Sequence, residues 1–455
     1  MIRIFIIISI LFCSHSESSV YIMNKTDKDN LERDLFDCIK FDDHISYPFL
    51  ISYYFSAALE IDKYDECFEI KENILRKLND RMTKSRKVIG YQSSLGDFYF
   101  QNSTKRLYNK ENIYFSKSGW KDRFSYNIQI TKNSNDSFLD GSYISYNGEK
   151  HTFTAGKLNY WWSSSDSFAL SVSNSARPFP SVSMESINPI VFERISFLGP
   201  ISYKFFLGKL EKDREIPNTK FLGARVTFYP SKKFTWSLSR TAQFGGDGRP
   251  QGLEALFNLI IGRDNAGKQD NENRQPGNQI ASLNMTFRPS KQIRTYFNIS
   301  GEDEAGYLPS RTFYNFGMSY AFENKSDLGF DFVDTQSSDR ENYVYSHFIY
   351  LDGWRYLNKP IGAAIDADSE SASIRYNKNI SPNKKIQIKY LQSQINKNNN
   401  EKNFWSNEEF KINSLMLDIT FGIKEDVFGR LLYQINDKNL FGDKKFFVFN
   451  IEYYF

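Results

Sequence analysis

The chain has 455 residues, of which 40% are hydrophobic and 16% are aromatic. Its 58 basic residues nearly balance its 54 acidic residues, so the net charge of +4 gives no support for a nucleic-acid partner. The mean hydropathy is −0.53, and no apolar stretch after the first residues approaches the length of a spanning helix, which excludes transmembrane helices. A polar average with many Tyr and Phe residues is typical of a transmembrane β-barrel, in which lipid-facing and lumen-facing side chains alternate.

Residues 1–16 have the features of a secretory signal peptide. A positive start at Arg3 is followed by an apolar run over residues 4–13, and small residues then offer a cleavage site. The run is too short to cross a membrane as a helix. We therefore expect removal of residues 1–16 and an exported mature protein, and we do not expect lipidation at Cys13.

Residues 17–87 predict a small helical bundle that precedes the barrel in the periplasm. Between Asp62 and Arg81 the apolar residues recur every three or four positions, as on one face of a helix. Acidic residues crowd the start of this stretch and basic residues its end, which complements the helix dipole. Residues 51–61 form a second helical candidate.

From residue 88 to residue 455 the sequence pattern changes to period two. In residues 124–130, 293–299 and 314–322, large apolar side chains alternate with smaller or more polar ones. The last ten residues, FFVFNIEYYF, place Phe447, Tyr453 and Phe455 on one face of a final strand. Each signal is weak alone, but its repetition indicates a transmembrane barrel.

Two kinds of connection alternate along this region. Outer-membrane barrels have short periplasmic turns and long extracellular loops, so the alternation predicts the orientation of the chain. About 370 residues at ~20 per strand and connection predict about 18 antiparallel strands. The short turns are residues 230–233, 289–291 and 381–384, and the long segments are residues 244–278, 302–311, 335–369 and 395–409.

The sequence contains no recognisable catalytic motif. His44, His151 and His347 lie outside the signal peptide, and none has a partner at the spacing of metal ligands. His347 is a candidate for a hydrolase at the barrel rim, although a lone histidine in such a position more often has a structural role. We therefore expect a protein that is not an enzyme and that needs no cofactor or metal.

The long loops carry charged and aromatic residues of the kind that bind carbohydrate. Aromatic faces pack on sugar C–H surfaces, and planar Arg or carboxylate groups bind hydroxyls and uronates. The same residues equally suit a solvated rim whose salt bridges tie the loops together. The candidate polysaccharide-binding residues are Arg249, Arg263, Asp264, Asp303, Arg311, Asp352, Trp354, Arg355 and Tyr356.

Several long blocks of the chain resemble the capsule-assembly Wzi family. They include FGGDGRPQGLEAL, GEDEAGYLPSRTFYNFGMSY and HFIYLDGWRYLNKPIGAAIDADSESASI, and the resemblance extends from about residue 88 to the end. It implies a barrel with a periplasmic helical bundle that acts as an outer-membrane lectin and attaches secreted capsular or related exopolysaccharide to the cell surface. Where that family reads W-W-G-P-G, this chain reads Trp161-Trp162-Ser163-Ser164-Ser165.

The expected partners follow from this interpretation. They are an anionic capsular polysaccharide or other exopolysaccharide, outer-membrane lipid, and the barrel-assembly machinery, whose terminal recognition signal the ending on Phe455 resembles. We expect a monomer in the bacterial outer membrane. A diffusion porin is the alternative, since about 18 strands can enclose a water channel.

Cys38 and Cys67 remain after signal removal, and in an oxidising compartment they form either one disulfide or two free thiols. If they form a disulfide, the denatured mature protein will show both thiols only after reduction. The control is Cys38→Ser, whose remaining cysteine titrates without a reductant. Equal thiol titres before and after reduction of the unmodified chain exclude the disulfide.

Overall fold

The computed structural model describes most of the chain beyond residue 84. The predicted signal peptide, Cys38, Cys67 and nearly all of the predicted helical segment lie outside the described residues. Short extended pairs join Tyr21–Ile22 to Phe49–Leu50 and Ser46–Tyr47 to Trp161–Trp162. The described residues are 21–22, 46–47, 49–50, 85–96, 108, 110–260, 277–302, 304–305, 308–309, 311–337, 344–381, 383–399, 401–439 and 444–455.

Eighteen antiparallel strands close into one barrel, as the sequence predicts. Each strand pairs with its neighbours along the chain, and the last strand pairs with the first. At the seam, the backbone N–H of Lys87 donates to Phe455 O at 3.1 Å and the N–H of Phe455 donates to Lys87 O at 2.9 Å. The closed ladder leaves no strand edge, which is the condition for a sheet to cross a bilayer.

The strands are numbered β1 to β18 in chain order. The fourth strand has two pieces, which both pair with the third. The bounds are β1 Arg86–Leu95, β2 Asn112–Lys121, β3 Phe124–Lys132, β4 Ser137–Phe138 and Tyr143–Asn147, β5 His151–Gly156, β6 Ser181–Ser186, β7 Ile201–Lys209, β8 Lys220–Ser231, β9 Phe234–Phe244, β10 Gly277–Phe287, β11 Ile293–Glu302, β12 Thr312–Ala321, β13 Ser326–Asp334, β14 Glu370–Ser381, β15 Lys384–Ile395, β16 Phe410–Lys424, β17 Val427–Asn436 and β18 Lys445–Tyr454.

Side chains alternate between the two faces of this wall. In β12, Phe316 and Met318 point outward and are exposed, while Phe313 and Asn315 point inward and are buried. The same alternation holds along the other predicted strands, so the period-two prediction is confirmed. An apolar outer belt around a polar interior is the surface of a transmembrane β-barrel. No helix in the described part of the chain has the length and apolar character needed to cross a bilayer.

The two ends of the barrel differ in their connections. Tight turns at residues 232–233 and 288–292, and the short connection from Ser381 to Lys384, lie at one end, together with Phe455. The long connections that the sequence predicts lie at the other end, and one of them carries the helix α1, Leu253–Ile260. We call these the short-turn end and the long-loop end.

The β5–β6 connection, residues 157–180, folds into the barrel instead of staying outside it. We call this segment the plug. Ser164 lies 2.6 Å, oxygen to oxygen, from Thr286, which is next to the last residue of β10 at the short-turn end. Asn315 of β12 donates to the carbonyl of Phe168 at 3.0 Å. The plug therefore enters from the long-loop end and reaches far down the interior.

A hydrophobic core fills the barrel toward its long-loop end. It combines plug residues with inward side chains of the wall and with the β13–β14 loop. Tyr160 of the plug stacks on Phe206 of β7 with ring centroids 4.4 Å apart. Phe221 of β8 meets Trp354 of the loop edge to face at 5.1 Å. Burying a large apolar side chain contributes ~1.5–3 kcal/mol, so this core binds the loops firmly to the wall.

Polar contacts hold the part of the plug that reaches toward the short-turn end. Asp166 forms ion pairs with Arg294 of β11, at 3.3 Å, and with Arg375 of β14. Asp331 of β13 accepts hydrogen bonds from the hydroxyls of Ser165, at 2.7 Å, and Ser167, at 2.9 Å. Buried charges in a protein need such partners, because an unpaired one carries a large desolvation cost.

The filled interior predicts a closed channel. In planar bilayers the full-length protein will give no steady conductance, because the plug and its core occupy the path that ions would take. A variant in which a Gly/Ser linker replaces residues 163–177 will give stepwise openings. Heat-modifiable mobility on gels is the folding control for that variant, and steady conductance of the unmodified protein would contradict a closed interior.

Candidate functional site

The site begins with a tight hairpin in the β13–β14 loop. Arg355–Tyr356 pairs with Lys359–Pro360, and the tip residues Leu357 and Asn358 have positive φ values of 48° and 54°. Positive φ at both central residues is the geometry that matches the twist of a two-residue hairpin. The hairpin thereby fixes the positions of Arg355 and Lys359 on a tight turn.

Trp354 and Tyr356 anchor this hairpin from below. Trp354 has no exposed surface, and its Nε1–H donates to the carbonyl of Ser171 in the plug at 2.8 Å. Tyr356 is buried against Phe179, with ring centroids 6.0 Å apart. In this structure both rings pack in the core and neither presents a face to solvent.

Arg355 ties the hairpin to a second loop. Its Nη2 lies 2.5 Å from Asp366 Oδ2, whose side chain is fully buried, and 2.8 Å from the carbonyl of Lys402. Asp366 also accepts a hydrogen bond from the backbone N–H of Phe404 at 2.6 Å. The carboxylate therefore fixes the β13–β14 loop against the β15–β16 loop.

Asp352 and the buried Arg214 join the β7–β8 loop to the same cluster. Asp352 accepts from the backbone N–H of Glu215 at 2.8 Å, and Arg214 donates to the carbonyl of Arg355 at 3.1 Å. Gln243 at the end of β9 donates to the carbonyl of Gly353 at 2.9 Å. Two side chains, Gln243 from the wall and Arg214 from the neighbouring loop, thus hold the backbone at the start of the hairpin.

Arg249 contacts the cluster through Tyr350. The hydroxyl of Tyr350 donates to the carbonyl of Gly245 at 3.2 Å. Burial raises the pKa of Tyr350 to about 12, against the opposing effect of the Arg249 and Arg214 charges. Burial also raises the pKa of Tyr356 to about 12. Both phenols therefore stay protonated at physiological pH.

The structure brings part of the predicted set together. Arg249, Asp352, Trp354, Arg355 and Tyr356 belong to this one cluster at the long-loop end. Arg311 immediately precedes β12, where it is half-buried with a positive φ of 47°. The remaining predicted residues, Arg263, Asp264 and Asp303, lie outside the described residues.

A surface that sequence reasoning missed lies above the Arg355–Asp366 pair. Phe404 is half-buried, with the Nζ of Lys359 5.1 Å from its ring centroid and the guanidinium of Arg355 at 6.0 Å. The exposed Lys402 adjoins them through its carbonyl contact with Arg355. We call Arg355, Lys359, Lys402 and Phe404 the crown patch. It combines the Phe404 ring with the charged groups of Arg355 and Lys359, and the exposed Lys402 adjoins them.

An exposed turn that includes His347 lies in the same loop. Phe348 is 55% exposed and stacks on His347 at a centroid distance of 4.6 Å. His347 Nδ1 accepts the backbone N–H groups of Ile349, at 3.1 Å, and Tyr350, at 3.4 Å. This histidine therefore supports a turn. The described residues contain no group of three or more His, Cys, Asp or Glu side chains placed to hold a metal ion.

The fold and the sequence together define the class of protein. Residues 81–443 match the family described as capsule assembly protein Wzi, and the chain belongs to that family. This match confirms the resemblance to the Wzi family that the sequence blocks of the long loops indicate. It extends across β1 to β17 and includes the plug and the crown patch.

Two relatives give particular comparisons. An uncharacterised 55.8 kDa protein in the cps region of Klebsiella pneumoniae is 27% identical over 282 residues, which are 58% of this chain and 54% of that protein. The match thus spans about half the length of that relative. The solved Escherichia coli Wzi, described as an outer membrane protein involved in group 1 capsule assembly and a carbohydrate binding beta-barrel, gives a TM-score of 0.81 at 19% identity, covering 95% of this chain and 98% of that one. At this identity the likeness is one of fold.

The buried ion pair predicts a large effect for Arg355→Met. This change leaves the carboxylate of Asp366 without its cation, which costs ~3–5 kcal/mol for a buried partner. Hydrogen exchange of residues 344–369 will accelerate on the order of a hundredfold or more. The matched control is Lys411→Met, which removes an exposed pair with Glu409 (62% and 40% exposed side chains) and will change the exchange little. Equal exchange in the two variants would contradict a locking role for Arg355.

Proposed function

We propose that the protein is an outer-membrane lectin that retains a secreted acidic polysaccharide at the cell surface without making or breaking bonds. The observation that carries the proposal is the crown patch, where the cations of Arg355 and Lys359 lie beside the Phe404 ring and the exposed Lys402 adjoins them. Membership of the capsule assembly family supports the biological setting. The solved Escherichia coli relative, described as carbohydrate binding, supports the class of ligand.

The patch has the chemistry for an anionic sugar chain. A half-exposed phenyl ring packs against the C–H face of a pyranose, and ammonium groups at its border attract uronate or other acidic substituents. Each contact is weak, but a polymer offers many identical units, so rebinding and multivalency raise retention. The core and the Arg355–Asp366 pair fix the patch before the polymer binds. Binding therefore costs little conformational entropy of the protein.

The orientation and remaining residues complete the proposal. The long-loop end faces outward and the short-turn end faces the periplasm, as in other outer-membrane barrels. Residues 1–16 are the signal peptide, the residues between it and β1 lie in the periplasm, and the barrel that begins with β1 at Arg86 is that of a monomer. The barrel-assembly machinery recognises the strand that ends at Phe455. Further polymer contacts come from the loops that carry Arg249, Arg263, Asp264, Asp303, Arg311 and Asp352.

The alternatives receive less support from the geometry. A diffusion porin needs an open path, whereas the plug and its core occupy the interior of this barrel. A rim hydrolase based on His347 needs a base that is free to accept a substrate proton, whereas Nδ1 of His347 already accepts two backbone N–H groups. Both observations favour a binding role.

The experiment is capsule retention in a strain that lacks the gene. Polymer synthesis will stay intact, while the polymer moves from the cells to the medium, and the unmodified gene will restore cell-bound polymer. The double variant Lys359→Met and Lys402→Met will restore little, because it keeps the side-chain stems but removes two cations of the patch. Lys411→Met is the control and will restore retention fully.

Purified protein supplies the direct measurement. In nanodiscs, the double variant will bind the strain's acidic polysaccharide on the order of tenfold more weakly than the unmodified protein, which corresponds to about 1.4 kcal/mol. The difference will shrink at high salt, because exposed charges are screened. Unchanged cell-bound polymer in the deletion strain, or equal binding by both proteins, would refute the proposal.

A further inference from the structure

One sector of the barrel wall is much shorter than the rest. The main piece of β4 has 5 residues, and β5 and β6 have 6 each, whereas β8 has 12 and β16 has 15. A strand of about 6 residues, at ~3.3 Å per residue and a ~45° tilt, spans roughly 14 Å of an apolar band ~25 Å tall. The strands of this sector therefore do not cover the hydrocarbon thickness.

An unusual connection follows this short sector at the short-turn end. The β6–β7 connection, residues 187–200, is far longer than the turns beside it and contains a 3₁₀-helix, Glu193–Leu198, with no buried residue. Within residues 191–197, which we call the foot, Val191 is 62% exposed and Phe197 is 77% exposed. Phe192 and Ile195 are exposed as well. Within the part of the chain that the structure describes, no protein core covers these four large apolar side chains.

The foot is fixed to the wall at both ends. Ile190 and Ile201 exchange backbone hydrogen bonds at 2.8 and 2.9 Å. Gly199 has a positive φ of 74°, and a Cβ at this position would collide with the carbonyl of Tyr229 in β8. The chain therefore needs glycine here for both its conformation and its close packing.

The surroundings of the foot are those of a membrane interface. Phe228 and Trp236 point outward beside it, stacked at a centroid distance of 4.1 Å, and Ile201 is in register with Phe228. Exposed Lys232 and Lys233 form the adjacent turn, and Arg194 is exposed within the foot. Aromatic residues mark the headgroup level of barrels, and cations at that level attract lipid phosphates.

We propose that the foot lies in the phospholipid leaflet at the short-turn end, with its apolar side chains among the acyl chains and Arg194 toward the phosphates. The continuity of its apolar surface with the lipid-facing wall identifies lipid as its occupant. The foot extends the apolar surface next to β4 to β6, where the strands are too short to span the hydrocarbon layer. This inference is independent of the polysaccharide proposal.

The test uses the full mature chain in nanodiscs of phosphatidylethanolamine and phosphatidylglycerol, with Cys38→Ser and Cys67→Ser as background. A nitrobenzoxadiazole label is attached at Phe197→Cys, at the lipid-facing reference Leu207→Cys in β7, or at the aqueous reference Leu351→Cys in the long-loop end. Brominated phospholipid will quench the label at position 197 as strongly as at position 207. Iodide in the buffer will quench the label at position 351 severalfold more than either.

Two outcomes would overturn the proposal. Quenching by iodide at position 197 as strong as at position 351 would place the foot in water. Protection from both reagents would show that protein covers it, from another segment or a second copy. Heat-modifiable mobility confirms that each labelled barrel is folded. If the Phe197 variant does not fold, a label at Val191→Cys gives the same quenching measurement within the foot.

Discussion

The structure depends on one constraint: in hydrocarbon, the N–H and C=O groups of a spanning sheet need partners within the sheet. The chain meets it by pairing its last strand with its first, down to the reciprocal hydrogen bonds between Lys87 and Phe455. Once the wall is closed, outward positions are free to be apolar and inward positions to be polar. This division explains how a chain with a polar average builds a membrane protein.

Closure also creates an interior, and this protein fills it with its own loops. The plug supplies Tyr160, Trp162 and Phe168, and the β13–β14 loop supplies Trp354. These rings from segments between strands pack against inward rings of the wall, such as Phe206 and Phe221. The crown patch rests on this packing, because Trp354 and Tyr356 hold the hairpin that carries Arg355 and Lys359. Rigid support of this kind gives a surface loop a defined shape.

The wall was predictable from the sequence because its signals are local. Period-two alternation and Pro/Ser/Asn turns depend only on neighbouring residues, and they correctly located strands such as β11 and β12 and the turn at residues 232–233. The strand number followed from length alone. These features need no knowledge of the contacts between distant parts of the chain.

The site was less predictable because its contacts are not local. Trp354 lies in a polar loop, and it is buried against a plug that lies nearly two hundred positions earlier in the chain. The sequence around Trp354 therefore contains no local pattern that indicates its burial. Phe404 and Lys359 meet only because two loops converge, so neither stands out in sequence. Ser163, Ser164 and Ser165 replace the Gly and Pro of the family pattern, and two of their hydroxyls contact Thr286 and Asp331 in the wall.

The plug's anchorage has a consequence for assembly. Asp166 precedes β6, but its partners Arg294 and Arg375 belong to β11 and β14 and lie 128 and 209 positions further along the chain. The plug therefore gains both docking groups only when β11 and β14 have taken their places in the wall. Correct seating of the plug thus depends on the folding of distant strands, and contacts of such high sequence separation form slowly.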